Sequence, residues 1–169
     1  MMPPLRYRIL AVIGALVVGL DQWSKQVIVG SFDLYQSLTV VENFFHITYV
    51  RNRGAAFGML ADSPLRVPFF IGVTLVACGI IVGYLHRLAD DRKLAATALA
   101  LIFGGAIGNL IDRVSLGEVI DFIDVHWYQH HWPAFNIADS AICVGVGLLL
   151  LDMWRHDRKG ARETKEEGS

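Results

Sequence analysis

Two stretches of this chain place acids where the neighbouring residues read as hydrocarbon: VIDFIDV, with Asp121 and Asp124, and PAFNIADSAI, with Asp139 opening an apolar run. Asn136 is already a suitable N-cap for a helix beginning at Ile137. Asp139 is therefore a second polar group in a turn where one suffices. Two carboxylates brought together in a poorly hydrated pocket cannot both ionise cheaply, so one keeps its proton near neutral pH. Such a pair suits amide hydrolysis, one carboxylate taking a proton from water as it attacks the carbonyl while the other donates to the oxygen. Spacing leaves the partner of Asp139 open. In an extended VIDFIDV, Asp121 shares a face with Val119 and Ile123, and Asp124 with Ile120 and Phe122; in a helix both acids fall on one side.

Other polar groups interrupt apolar runs: Asp21 with Lys25, and Asn109 with Asp112 and Arg113. An isolated Asp, Lys or Arg at the centre of a membrane helix costs roughly 2.5 to 3.5 kcal/mol, so each needs a reason. Asp21 and Lys25 are spaced for an ion pair on one helix face, and Asp112 with Arg113 reads as the end of a span. Gly104, Gly105 and Gly108 in FGGAIGN permit close helix contact. His126, His130 and His131 lack the glutamate of an HExxH motif, Trp127 standing in its place, and read as interfacial loop histidines. Ser140 lacks a surrounding G-x-S-x-G and reads as a helix-start serine.

The elements that must carry these groups follow from composition. The 169 residues are 54% hydrophobic and 18% charged, with a mean hydropathy of +0.44. That is too apolar for an ordinary soluble domain. Four spans of about 20 residues fit, at about 9–29, 67–85, 94–111 and 135–154, in a single membrane domain covering 1–169. Connections 30–66 and 112–136 fall on one side and both chain ends on the other. The latter side collects Arg6, Arg8, Arg87, Arg92, Lys93, Arg155 and Arg158, and the positive-inside rule makes it cytoplasmic. The charged tail, 155–169, is expected to fray into solvent.

In LTVVENFFHITYVRN a turn is expected at Glu42 and Asn43. A strand follows, with Phe45, Ile47 and Tyr49 on one face and His46, Thr48 and Val50 on the other. Aromatic residues recur in both outward connections, among them Tyr35, Phe44, Trp127, Tyr128 and Trp132, as expected of groups at headgroup level. The expected fold is thus all-α and membrane-spanning, with four helices, a small outward β-sheet and an amphipathic outward loop. Cys78 and Cys143 lie in apolar runs and suggest no disulfide. A rival reading makes the polar layer the binding site of a small membrane carrier, but the polar residues gather at one face and not at the midplane.

Five blocks in order, DQWSK (21–25), RNRGAAF (51–57), GGAIGNLIDR (104–113), VIDF (119–122) and PAFNIADSAI (133–142), resemble the bacterial lipoprotein signal peptidase family, the signal peptidase II enzymes. The resemblance implies an uncleaved four-helix inner-membrane aspartic endopeptidase with a periplasmic-side active site. Its catalytic pair would be Asp121 and Asp139, with Asp124 a mere neighbour. Asn52, Gly54, Asn109, Asp112, Arg113 and Asn136 would line and brace the site, and Asp21 and Lys25 match a family block too. It further implies a diacylglyceryl prolipoprotein substrate cut before its lipidated cysteine, with the strand-rich connection at 38–60 as a cradle above it. Neither metal nor cofactor is expected, nor nucleic acid; membrane lipid surrounds a monomer.

Overall fold

In hydrocarbon a backbone must satisfy its own hydrogen bonds, and helices do so within one segment. The computed structural model, which describes residues 3–54 and 63–167, contains four such helices: α1 (Leu5–Ser31), α2 (Arg66–Arg87), α3 (Lys93–Leu116) and α4 (Ile137–Glu167). Each is long and apolar enough to cross a membrane, α4 over Ile137–Arg158. Apolar side chains such as Leu16, Val73, Ile80 and Leu150 point outward and remain exposed, a surface suited to lipid and not to water. Strands β1 (Ser37–Val41), β2 (Phe45–Asn52), β3 (Val119–Trp127) and β4 (His130–His131) form one antiparallel sheet in that order. Four helices with a small sheet is the expected class.

The structure resolves one open point of the sequence reading and departs from it in three places. VIDFIDV is a strand, which resolves the helix-or-strand ambiguity and puts Asp121 and Asp124 on opposite faces. The turn at Glu42–Phe44 forms, with Asn43 at a φ of 57°, but β2 does not alternate cleanly: its register against β3 shifts between Ile47 and Val50. One extra β2 residue there is a bulge, and Thr48 and Tyr49 are buried side by side. The HWYQHH segment is a β3–β4 hairpin and not an interfacial loop, with His126 paired to His131 and buried. Finally, α4 does not fray after Trp154 but continues to Glu167, because Arg, Lys, Glu and Ala are strong helix formers whether or not they meet a core. The Ala55–Phe57 end of the RNRGAAF block, and residues 55–60 of the cradle, lie outside the described residues.

The helix α3 is the hub, and its small residues are the reason. Ala95, Ala98 and Ala100 are fully buried, and glycines let two neighbours approach: a methyl group on Gly104 would sit 2.8 Å from Val17 Cβ of α1, and one on Gly108 would sit 2.6 Å from Asp21 Oδ2. Gly105 faces the backbone of Ala138 at the start of α4. After Leu116, Gly117 takes a left-handed φ of 72°, a conformation that favours glycine, and the chain turns directly into β3. The far end of the bundle is tied by Arg6 to Asp90 at 2.8 Å, Tyr7 Oη with His86 Nδ1 at 2.8 Å, and an Arg92–Asp152 ion pair. The start of α1, the α2–α3 turn and the distal part of α4 thus meet at one end, and the acids of α1 and α3 lie toward the other.

The close approach at Gly108 sets an expected outcome. Gly108→Ala pushes a methyl into the Asp21 carboxylate, an overpacking of about 1 to 3 kcal/mol, and lowers the thermal midpoint in detergent; Gly79→Ala, with nothing near its added Cβ, is the control. An unchanged midpoint for Gly108→Ala contradicts the packing.

Candidate active site

The polar end of the bundle is built around a buried cation. Lys25 and Asp21 are both 0% exposed and pair at 2.8 Å, and Lys25 also meets Asp112 at 2.9 Å and the Asn109 side-chain oxygen at 3.1 Å. The i, i+4 pair expected on α1 is present, but α3 completes it. Gln22, which the sequence reading passed over, donates to Asp112 Oδ1 at 2.9 Å and to the Gly108 carbonyl at 3.1 Å. Its only signal was its place between Asp21 and Lys25.

Each partner of Lys25 reaches outward to another element. Asp21 Oδ1 accepts from the Ala138 backbone N–H at 2.9 Å, one of the N–H groups a helix start leaves without an internal partner. Asp112 Oδ2 accepts from the Ile120 N–H at 3.1 Å and so fixes the beginning of β3. Asn109, its oxygen turned to Lys25, donates to Asp139 Oδ1 at 2.8 Å.

Asn136 and Asp139 form a reciprocal cap. The Asn136 side chain accepts from the Asp139 N–H at 2.9 Å, and Asp139 Oδ2 accepts from the Asn136 N–H at 3.3 Å, the geometry of a capping box with Asp in the N3 position. The two polar groups in that turn therefore share a structural task, while the second oxygen of Asp139 turns to Asn109. Ser140 Oγ donates back to the Asn136 carbonyl at 2.9 Å, a helix-start role as expected.

Asp121 arrives from the sheet. Phe135 pairs with Ile123 across an antiparallel bridge, so the segment entering α4 runs back along β3 and brings Asn136 level with Asp121. The Asn136 amide donates to Asp121 Oδ1 at 2.7 Å and also reaches the Ile120 carbonyl and Asn109 Oδ1, each at 3.1 Å. Asn52, at the end of β2, donates to Asp121 Oδ2 at 3.0 Å, while its own oxygen accepts from the Gly54 N–H at 3.0 Å in a tight turn. Burial first, and the Asp139 carboxylate next, push Asp121 up to about 7, against the pull of the Asn52 and Asn136 amides and of Lys25.

Both carboxyls open onto one cleft of about 660 Å³, with Asn52, Arg113 and Asn109 at its polar end and Ala77, Ile102, Ala106 and Ile142 on its apolar wall. Arg113 donates to the Asn109 carbonyl at 3.3 Å and stacks 4.9 Å over the Phe70 ring. Every site residue read from the sequence is thus in the network or the cleft, and Asp124 is not. It faces His46 on β2 instead.

Similarity to known proteins shows the family. The model of the family described as "Signal peptidase (SPase) II" matches residues 13–155. The chain is 60% identical over 157 residues to the lipoprotein signal peptidase of Geobacter sulfurreducens, covering 92% of this chain and 97% of that one. It is 42% identical over 156 residues to that of Haemophilus influenzae, at 92% and 91% coverage. A solved bacterial membrane enzyme superposes with a TM-score of 0.78 at 36% identity, covering 86% of this chain and 87% of that chain.

Removing the ammonium exposes the cost of the cluster. Lys25→Met leaves Asp21 and Asp112 buried without a counter-charge, which costs about 3 to 5 kcal/mol. Thermal unfolding in detergent should show a larger loss for Lys25→Met than for Asp21→Asn, which keeps the Lys25–Asp112 contact. Equal or smaller loss for Lys25→Met contradicts a cation-centred cluster.

Proposed function

The chain belongs to the signal peptidase II family, and we propose that Asp121 and Asp139 are the two carboxylates with which it works. It is an aspartic endopeptidase of lipoprotein processing, which removes the signal peptide of a diacylglyceryl-modified prolipoprotein by cutting before the lipidated cysteine. The carrier reading is not favoured. The observation that carries the catalytic assignment is Asn136, whose side chain touches Asp121 at 2.7 Å while its backbone N–H touches Asp139 at 3.3 Å. One residue holds both acids against the same wall of the cleft.

Asp139 sits in the first turn of α4, facing a backbone N–H and the Asn109 amide, and Asp121 lies on a strand with its acidity weakened to about 7 by burial and by the neighbouring carboxylate. We assign the shared proton to Asp121 and the role of base to Asp139. In the reaction Asp139 takes a proton from water as the oxygen attacks the scissile carbonyl, and Asp121 gives its proton to the carbonyl oxygen. The tetrahedral species then collapses: a hydroxyl proton returns to Asp121 as the C=O bond re-forms, the C–N bond breaks, and the proton gained by Asp139 leaves on the departing amine. Asn52, Gly54, Asn109, Arg113 and Asn136 hold the acids and the substrate backbone, and Asp21, Lys25 and Asp112 brace them. The apolar wall takes the signal helix.

The concentration of Arg6, Arg87, Arg92, Lys93, Arg155 and Arg158 at the opposite end supports cytoplasmic termini in the bacterial inner membrane, with the cleft toward the periplasm. The protein works as a monomer among membrane lipids. Asn52 at the end of β2 and Gly54 after it line the cleft, which supports the cradle role for the first outward connection.

Two outcomes test the pair. Asp121→Asn and Asp139→Asn each reduce cleavage of a lipidated prolipoprotein, read as a gel mobility shift, by on the order of 10² to 10⁴-fold, with helical content and thermal midpoint kept. Substantial turnover in either variant refutes the assignment. Because the protonated form of Asp121 is the working acid, and protonation is lost as pH rises through about 7, kcat/KM falls above that pH; a rate that climbs through the same window reverses the two roles.

A further inference from the structure

We propose that His46, Asp124 and His126 form a binding site for a divalent zinc-type metal ion that staples β2 to β3. The sheet delivers these donors by register: His46 of β2 is the cross-strand partner of Asp124 of β3, and His126 lies two residues further along β3 on the same face. One donor atom from each lies within 4.8 Å of the other two. Donors bound to zinc at about 2.0 to 2.2 Å stand roughly 3.4 Å apart in a tetrahedron, so small rotations of the side chains close the set.

Three features favour a metal over a plain surface cluster. His46 Nδ1 stands 3.6 Å from Asp124 Oδ2, close to the separation of two donors on one tetrahedral zinc. The two imidazole rings lie with centroids 4.3 Å apart, tilted by 55° to one another, close enough for one ion to be shared by both. His126 is 5% exposed and the side chains of His46 and Asp124 keep only 23% and 16%, so the site is shielded without being sealed from water. Two imidazoles and a carboxylate are the donor types of zinc sites with an open position. Asp121 points to the other face of β3, so the ion is separate from the proposed proteolytic pair and serves the sheet. Its place next to the β2 bulge at Ile47–Val50 makes it a clamp on the strand that carries Asn52 to Asp121.

The test uses the full chain, purified in detergent with any affinity tag removed and stripped by chelator. Titration with Co2+ should give a tetrahedral visible spectrum saturating at one equivalent and displaced by Zn2+, and Zn2+ should raise the thermal midpoint. His46→Ala and Asp124→Asn should each weaken Zn2+ binding by about tenfold or more, whereas His130→Ala and His156→Ala leave it unchanged. No saturable one-equivalent binding in the unsubstituted protein overturns the proposal even where a variant fails to fold. So does binding that survives both His46→Gln and Asp124→Asn, or that disappears with His130→Ala.

Discussion

The ammonium of Lys25 is the contact on which the polar end of this bundle depends. It is fully buried in α1 with Asp21 at 2.8 Å, Asp112 at 2.9 Å and Asn109 at 3.1 Å. A buried charge is tolerable only with close, saturated partners, and each partner of Lys25 spends a further atom on a different element. Asp21 takes the Ala138 N–H of α4, Asp112 takes the Ile120 N–H of β3, and Asn109 donates to Asp139. The two elements that bear Asp121 and Asp139 are thereby registered on one cation that touches neither acid. This explains why α3 carries glycine where α1 and α4 approach: a side chain at Gly108 would occupy the space of the Asp21 carboxylate.

A second constraint comes from the solvent. Amide hydrolysis requires water, and a membrane substrate requires hydrocarbon, so the site must lie where both are available. Irregular backbone is tolerated near a bilayer only if its polar groups are paired. The strand β3 meets that condition, with β2 on one edge and, on the other, β4 and the Ile123–Phe135 bridge. The return from Phe135 into α4 then brings a helix start, with its unsatisfied N–H groups, beside a strand acid. Asn136 closes the junction by capping α4 with its oxygen and holding Asp121 with its amide.

The residues most legible in the sequence were those whose chemistry is local. Asp21 with Lys25 was readable from an i, i+4 spacing, Asn136 as a cap, and Gly104 and Gly108 as packing glycines, because one helix face or one turn decides each. The family came through from the order of five short blocks. What was not legible depended on contacts across the chain: Asp112 as the third member of the Lys25 cluster, Gln22 as its donor, and the extended state of VIDFIDV, whose spacing suits a helix equally well. The bulge in β2 was hidden too, since alternation is interrupted by a single residue that only the pairing with β3 reveals. The histidines of HWYQHH drew attention as a local group, while the residue that faces His126 is His46, 80 positions earlier and brought close by strand register.

That register links the two faces of β3. A slip of one residue between strands turns every side chain to the opposite face, so pairing of β2 with β3 decides whether Asn52 reaches Asp121 or points away from it. On one side of the bulge His46 lies opposite Asp124; on the other Val50 lies opposite Asp121, and Asn52 opposite Val119. A bulge adds twist but leaves an unpaired residue at which the ladder is weakest. Fixing His46 to Asp124 removes the freedom to slide on the far side of that weak point, and the Asn52 amide inherits the restriction. The hydrogen bond from Asn52 to the buried Asp121 carboxyl thus depends on how β2 is paired with β3.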